Sequence, residues 1–330
     1  MSISIIKPGI LDTIQDSGRP GYADWGINPG GPMDTYAATL ANLLAGSEKN
    51  AAVVEVHFPA PQILFRKQSL IALTGGDFQP TLNDIPLPLC QPVVVKENTI
   101  LHFPSYRSGA RCYLAIEGGF ATDKWLGSRT TNLNAGATGL TGRKLAKNDE
   151  LSCGPGKKLS ANLRAETDAA ILPWRADTAN CYNNVHEISC VPGNEWGLLD
   201  WESKKCWEET NFIIHPSSDR MGYQLKNEPL KMSNKFQMVS TGVSFGTIQL
   251  LPNGQLVVLM ADHQTTGGYP RIAHVVSAHL PKLAQLRPSD CIKFGMVKME
   301  EAEKLYQSQI HDLNLLQESC MTRLNEYLCR

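Results

Sequence analysis

The sequence has 330 residues, more than one hydrophobic core usually spans, so two domains are expected. Its 42% hydrophobic and 19% charged residues are those of a globular chain. With 31 basic against 32 acidic residues, no basic block and no long apolar run, the composition argues against nucleic-acid binding and against a membrane span.

The opening MSISIIKPGI lacks the apolar stretch of a signal peptide, and a cytoplasmic protein is expected. Two loops follow, Asp16-Ser17-Gly18-Arg19-Pro20-Gly21-Tyr22 and Asn28-Pro29-Gly30-Gly31-Pro32-Met33-Asp34. They lead into a helix predicted over Asp34–Ala45, with Asp34 as cap and Gly46 as stop. Glycines before a helix N-terminus can hold an anion; turn and cap chemistry explains the same residues. Short strands come next: AAVVEVHF (51–58), SLIALTG (69–75), QPVVVKE (91–97) and RCYLAIEGG (111–119). Arg129 in Gly127-Ser128-Arg129-Thr130, and Arg143 in GLTGR (139–143), sit in glycine-rich loops that read either as anion contacts or as surface turns.

A polar, alanine-rich stretch at Lys157–Tyr182 marks the expected break between domains at 1–165 and 183–298. In the second half, SSDRMGY (217–223) offers Arg220 as a planar donor to a carboxylate or phosphate, or as the partner of a neighbouring aspartate. IQLLPNGQLVVLM (248–260) reads as a hairpin turning at Asn253-Gly254, with positive φ expected at both residues. ADHQTTGGYPRIAHV (261–275) then leaves the apolar run Leu256–Met260, which places its polar residues at a barrel rim. Asp262 and His263 are a candidate acid or base. Gln264, Thr265 and Thr266 are donors. Gly267-Gly268 allows close backbone approach, and Tyr269-Pro270 stiffens the exit. A turn that satisfies its own backbone would use the same residue types. The last element is a helix over Met299–Leu328, acidic in its first turn and about 40 Å long if unbroken. It either folds back across a barrel or forms a docking arm.

The two halves echo one another. RPGY (19–22) matches RMGY (220–223), and YLAIEGGF (113–120) matches the strand, acid, Gly-Gly and aromatic of 257–269. A tandem duplication of mainly β barrels is the reading these share with the many turn residues. No G-x-x-x-x-G-K-[ST] and no metal-ligand spacing is present. The nine cysteines form no C-x-x-C pair, and free thiols are expected.

The segment IIKPGILDTIQDSGRPGYADWGINPGGPMDTYAATLANLLAGSEKNAAVVEV resembles the opening of the allophanate hydrolase subunit 2 family, also called the biotin-dependent carboxyltransferase family. SDRMGYQL and ADHQTTGGYPRIAHV resemble its two C-terminal signatures, with SLIALTGGD, YLAIEGGF and LGSRTT in order between them. Among free-standing members the resemblance is nearest to the 5-oxoprolinase branch, which also holds KipA. It implies two tandem cyclophilin-like β-barrels, which the C-terminal helix read above (299–330) follows. It further implies one component, inactive alone, of a complex that opens pyroglutamate to glutamate. ATP with Mg would serve the assembled complex, with no biotin on this chain and no metal held by it. Two partner chains are implied: a protein of the allophanate hydrolase subunit 1 (KipI) family, and a further 5-oxoprolinase component of separate fold. Two other activities are open: cleavage or carboxylation of another small amide such as urea or allophanate, and a regulatory role that sequesters a kinase inhibitor. Carried over residue by residue, Asp262, Arg220 and Gln264 are the catalytic candidates. Asp219, Tyr223, Thr265, Thr266, Gly267, Gly268, Tyr269, Arg19 and Arg129 are the binding candidates. His263 stands where the family usually has arginine, a departure that either weakens an anion contact or signals a different substrate, and Pro32 stands where many relatives have alanine.

Overall fold

The computed structural model describes residues 2–140, 142–155, 167–233 and 238–328. Residues 157–166 of the expected linker, Thr141 of GLTGR and Cys329 lie outside the described residues. The chain divides into two compact units, each discontinuous in sequence. One comprises Met1–Arg19, Asp34–Thr178 and His311–Arg330; the other comprises Pro20–Met33 and Ala179–Ile310.

The first unit is mainly β, with a seven-stranded and a six-stranded sheet around one core. Ser108–Ile116 is central in the six-stranded sheet, flanked by Val53–His57 and Ser69–Asp77. The β-branched run Val53-Val54 with Val56 suits a pleated, buried surface. One helix, Thr35–Leu44, packs on this sheet. The Asp34 carboxylate caps it, accepting from the Ala37 N–H at 2.8 Å. Eight of its ten residues are buried, and its alanines let the backbone approach the sheet closely enough for Thr74 to donate to the Ala37 carbonyl at 2.7 Å.

The second unit holds a closed barrel. Going round the ring, its strands are Glu187–Pro192, Arg271–Val275, Thr247–Leu250, Leu256–Leu259, Gly222–Lys226, Phe212–Ile214 and Cys291–Met296. A parallel pairing of Glu187–Cys190 with Lys293–Met296 closes it, so no strand edge is left open in the ring. Phe294, Phe212 and Trp207 fill the interior. The expected hairpin is present, with one correction. Leu251 donates to Gln255 and Gly254 back to Leu251, so Pro252-Asn253-Gly254 is a three-residue loop. Only Gly254 takes positive φ, at 81°; this is a type I turn with a left-handed third residue. A small ribbon, Thr241–Gly242 with Thr266–Gly267, stands apart from the ring.

The long helix runs Met299–Leu328, as its sequence pattern predicts. Within the second unit Gln309 donates to the Ala278 carbonyl at 3.2 Å. Within the first, Cys320 and Leu324 are buried and Tyr327 lies against Trp174. Its packing on the chain's own residues favours a folded-back helix over a free arm. Cys90, Cys112, Cys190 and Cys320 are buried thiols, and burial pushes all four above the ordinary thiol range, Cys90 and Cys320 to about 11. Such thiols are unreactive at neutral pH.

His279 illustrates how the barrel uses a neutral imidazole. Its Nδ1 accepts the Ser189 N–H at 2.8 Å, and burial, with Lys282 nearby, holds its pKa down to about 4. A lowered histidine pKa means that the unfolded chain binds the proton first. Its contribution to stability is therefore complete above pH 6.5 and is lost as the pH falls toward 4. Asp12 in the first unit, raised by burial to about 7, has the opposite sign: its contribution is lost as pH rises toward 7. A per-residue NMR titration separates the two, with a His279 midpoint expected near 4; a midpoint near 6.5 refutes the buried neutral ring.

Candidate functional site

Three neighbouring barrel strands, Gly222–Lys226, Leu256–Leu259 and Thr247–Leu250, turn alternate side chains to opposite faces. Tyr223, Val258 and Ile248 lie side by side and belong to the core. The residues between them face outward. Gln224 is opposite Val257, Val257 is opposite Gln249, and Gly222 is opposite Leu259. These five line a cavity of about 250 Å³, with Ser217, Asp219 and Met221 from one loop and Gln264 and Tyr269 from another. The polar run after Met260 therefore serves a site on the outer wall of the barrel, not at its rim. Pairing of Thr266–Gly267 with Thr241–Gly242 sets this segment in a ribbon of its own.

The lining carries two hydroxyls (Ser217, Tyr269), three carboxamides (Gln224, Gln249, Gln264) and one carboxylate (Asp219), and neither Lys nor Arg. Ser217 Oγ donates to Gln224 Oε1 at 3.1 Å. Asp219 Oδ1 accepts the N–H groups of Met221 and Gly222 at 2.8 and 3.2 Å, which shapes its loop. The Nδ1–H of buried His263 donates to the Gln264 carbonyl at 2.5 Å. Burial holds His263 below the ordinary histidine range, with the Gln264 carbonyl pulling the other way. The departure from the family's arginine thus leaves a neutral ring in that place at neutral pH.

The other candidates fall elsewhere. Arg220 and Asp262 form a buried bidentate pair, Nε to Oδ2 at 2.8 Å and Nη2 to Oδ1 at 3.1 Å. Nη2 also donates to the Gly31 carbonyl at 2.7 Å. The side chains are 5% and 11% exposed, and neither lines the cavity. The aspartate partner of Arg220 is Asp262, 42 positions on, and not its neighbour Asp219. Tyr223 faces the core and donates to the Leu286 carbonyl at 3.3 Å. The Thr265 carbonyl accepts the Val243 N–H, Thr266 is exposed on the ribbon, and Gly268 is exposed beside Ser240. Gly267 has a steric role. A Cβ there would come within 2.4 Å of Gln249 Nε2, so the glycine makes room for that amide.

Arg19 and Arg129 belong to the first unit's own loops. Arg19 donates to the Thr130 carbonyl and to Thr138 Oγ1, and its guanidinium lies 5.0 Å from the centre of the Trp125 ring. The Arg129 side chain donates to the Thr122 carbonyl. Asp16 ties these loops together, accepting from Gly18 N–H, Ser128 Oγ, Thr130 Oγ1 and Arg129 N–H. Turn chemistry explains this cluster. Arg143 makes a two-pronged pair with Asp149 at 2.7 Å for each bond. Two groups escaped the sequence reading. Gln249 gives no local signal between two apolar neighbours. Glu55, fully buried and bound by Tyr113 Oη at 2.8 Å, was visible only as one charge inside AAVVEVHF.

The implied ATP does not fit this cavity, whose lining has no cation for a triphosphate. Among the described residues no group of three His, Cys, Asp or Glu could hold a metal. No helix among them is long and apolar enough to cross a membrane.

The family model described as "Carboxyltransferase domain, subdomain A and B" matches residues 25–296. The chain is 34% identical over 306 residues to the C subunit of 5-oxoprolinase from Haemophilus influenzae, covering 92% of this chain and 94% of that one. It is 33% identical over 307 residues to the Escherichia coli protein of the same name, covering 93% and 95%. Its fold matches the crystal structure of the K. lactis urea amidolyase with a TM-score of 0.86 at 27% identity, over 96% of this chain but 20% of that far longer one. The relatives are named as enzymes or enzyme subunits, and the chain belongs to the carboxyltransferase family that contains subdomains A and B.

Proposed function

We propose that this chain is the substrate-binding component of an ATP-dependent 5-oxoprolinase, which opens the lactam of 5-oxo-L-proline to give L-glutamate. The observation that carries this is the near end-to-end match with two 5-oxoprolinase C subunits, over 92% and 93% of this chain and 94% and 95% of theirs. The cavity is in keeping with it. About 250 Å³ suits a single small ring, and its hydroxyls and carboxamides suit a carbonyl, an N–H and a carboxylate. A lactam carbonyl is a poor electrophile, and phosphorylation of its oxygen would make it a good one. ATP and Mg are assigned to the two partner chains, the one of the KipI family and the one of separate fold, because this lining has no cation for phosphates. The chain's own task is then to hold and orient the ring and keep it dry.

A second reading is a neutral amide such as urea. The absence of Lys and Arg from the lining and the likeness to a urea amidolyase favour it. The assay is co-purification with the neighbouring partner chains followed by ATP-dependent glutamate release from 5-oxoproline. Release that needs this chain supports the first reading. A stable complex that consumes ATP with urea and not with 5-oxoproline moves the assignment to the second. A complex that forms and turns over neither leaves a binding role of the regulatory kind.

A further inference from the structure

Gln249 is fully buried, lines the cavity, and has no hydrogen-bond partner among the described residues on either Oε1 or Nε2. Its neighbours in the chain, Ile248 and Leu250, are apolar, and an apolar residue of the same length would pack there without stranding two polar atoms. The chain also keeps a glycine at 267 whose missing Cβ clears Nε2. Stability alone accounts for neither choice. Native proteins leave few buried polar atoms unpaired, and a ligand is one physical reason for an exception.

A carboxamide presents one donor and one acceptor side by side in a plane. Its complement is a group with an acceptor and a donor on one edge. Open-chain secondary amides are trans and set the two on opposite sides. A lactam ring locks N–H and C=O on the same edge, and urea presents the same edge. We propose that Gln249 reads the amide edge of the substrate: Nε2–H donates to the ring carbonyl oxygen, and the ring N–H donates to Oε1. This rests on the cyclic-amide reading above and names the residue that would recognise it. The last torsion of glutamine is soft, so aligning the amide plane with a ligand in the cavity costs little. The pairing also separates substrate from product. Ring opening moves the amine and the new carboxylate apart, and the single edge that Gln249 reads no longer exists.

The test is calorimetric titration of the full chain, by itself and with its partner chains, using 5-oxoproline, N-methyl-5-oxoproline, proline and urea. The proteins are wild type, Gln249→Met and Gly267→Ala. With two hydrogen bonds removed, Gln249→Met is expected to weaken 5-oxoproline binding about tenfold to a hundredfold. N-methyl-5-oxoproline, which has no N–H, should bind more weakly to wild type than 5-oxoproline does, and the variant should discriminate less between the two. Proline, which has no carbonyl, should bind weakly to both proteins. The thermal midpoint of Gln249→Met should stay level or rise, because two unpaired buried atoms are gone. Gly267→Ala, which pushes the amide aside without removing it, should weaken 5-oxoproline in the same direction. Equal 5-oxoproline affinity in wild type and Gln249→Met overturns the role of Gln249 and leaves the function standing. A lower midpoint with equal losses for the methylated and unmethylated rings also overturns it, in favour of a structural role. Urea binding that depends on Gln249, without 5-oxoproline binding, supports the amide-edge contact and overturns the cyclic substrate. No binding of either amide, even in the complex, overturns both.

Discussion

Asp262→Ala is expected to destabilise the second unit by about 3–5 kcal/mol, the usual cost of leaving one charge of a buried pair alone. Arg220 and Asp262 are joined by two hydrogen bonds at 2.8 and 3.1 Å, and both side chains are nearly out of water. Removing the carboxylate strands a guanidinium that cannot lose its proton. Arg220 also holds the Gly31 carbonyl, so its displacement should loosen Pro20–Met33 and speed proteolysis there. Arg220→Lys should fail to rescue, because an ammonium cannot make the planar double contact. The double change Arg220→Met with Asp262→Leu removes both charges and should recover most of the stability. Denaturant unfolding measures the first effect. Glutamate release by the assembled complex then decides the role: a stable double variant that keeps activity marks the pair as scaffold, and one that assembles but is inactive restores it to the chemistry. A single Asp262→Ala variant as stable as wild type refutes the buried-pair argument.

Trp207→Ala should cost about 3–5 kcal/mol as well, for a different reason: it opens a cavity in the barrel. Trp207 is fully buried on the helix Trp201–Glu209. It stacks on Phe294 at 4.8 Å and 18° and lies against Phe212 and Trp196. Phe212 and Phe294 lie on the two strands next to each other in the ring, so the indole is packed against both. Its Nε1–H is a buried donor with no partner among the described residues. Trp207→Phe, which removes that donor but keeps a ring, should therefore lose less than about 2 kcal/mol. The ratio of the two losses, read from unfolding midpoints and near-UV dichroism, checks both halves of the argument. Equal losses would mean that aromatic packing on Phe294 contributes little.

Local order was written in local sequence. Asp34 caps the first helix because a short carboxylate reaches the N–H three residues on, and the acidic turn at Met299 begins a helix that runs to Leu328. Alternating apolar strands and turn residues marked a mainly β chain, and motifs in fixed order marked its family. These signals span a few residues, so composition and spacing carry them. Even there, Asn253-Gly254 showed the limit: the dipeptide marked a hairpin, while the neighbouring Pro252 and the strand register chose a three-residue loop.

The site was another matter. The sequence by itself determined which segments carry polar chemistry, SSDRMGYQ and ADHQTTGGYP, and both supply the cavity. Only the tertiary structure decided which side chains face it. Strand alternation sends Tyr223 into the core and Gln224 to the cavity; pairing across 42 residues turns Arg220 and Asp262 toward each other; and barrel register sets Gln249 beside Val257 and under Gly267. A one-residue shift in any of these strands would exchange the two faces. That register is set by long-range packing, and no short stretch of sequence contains it.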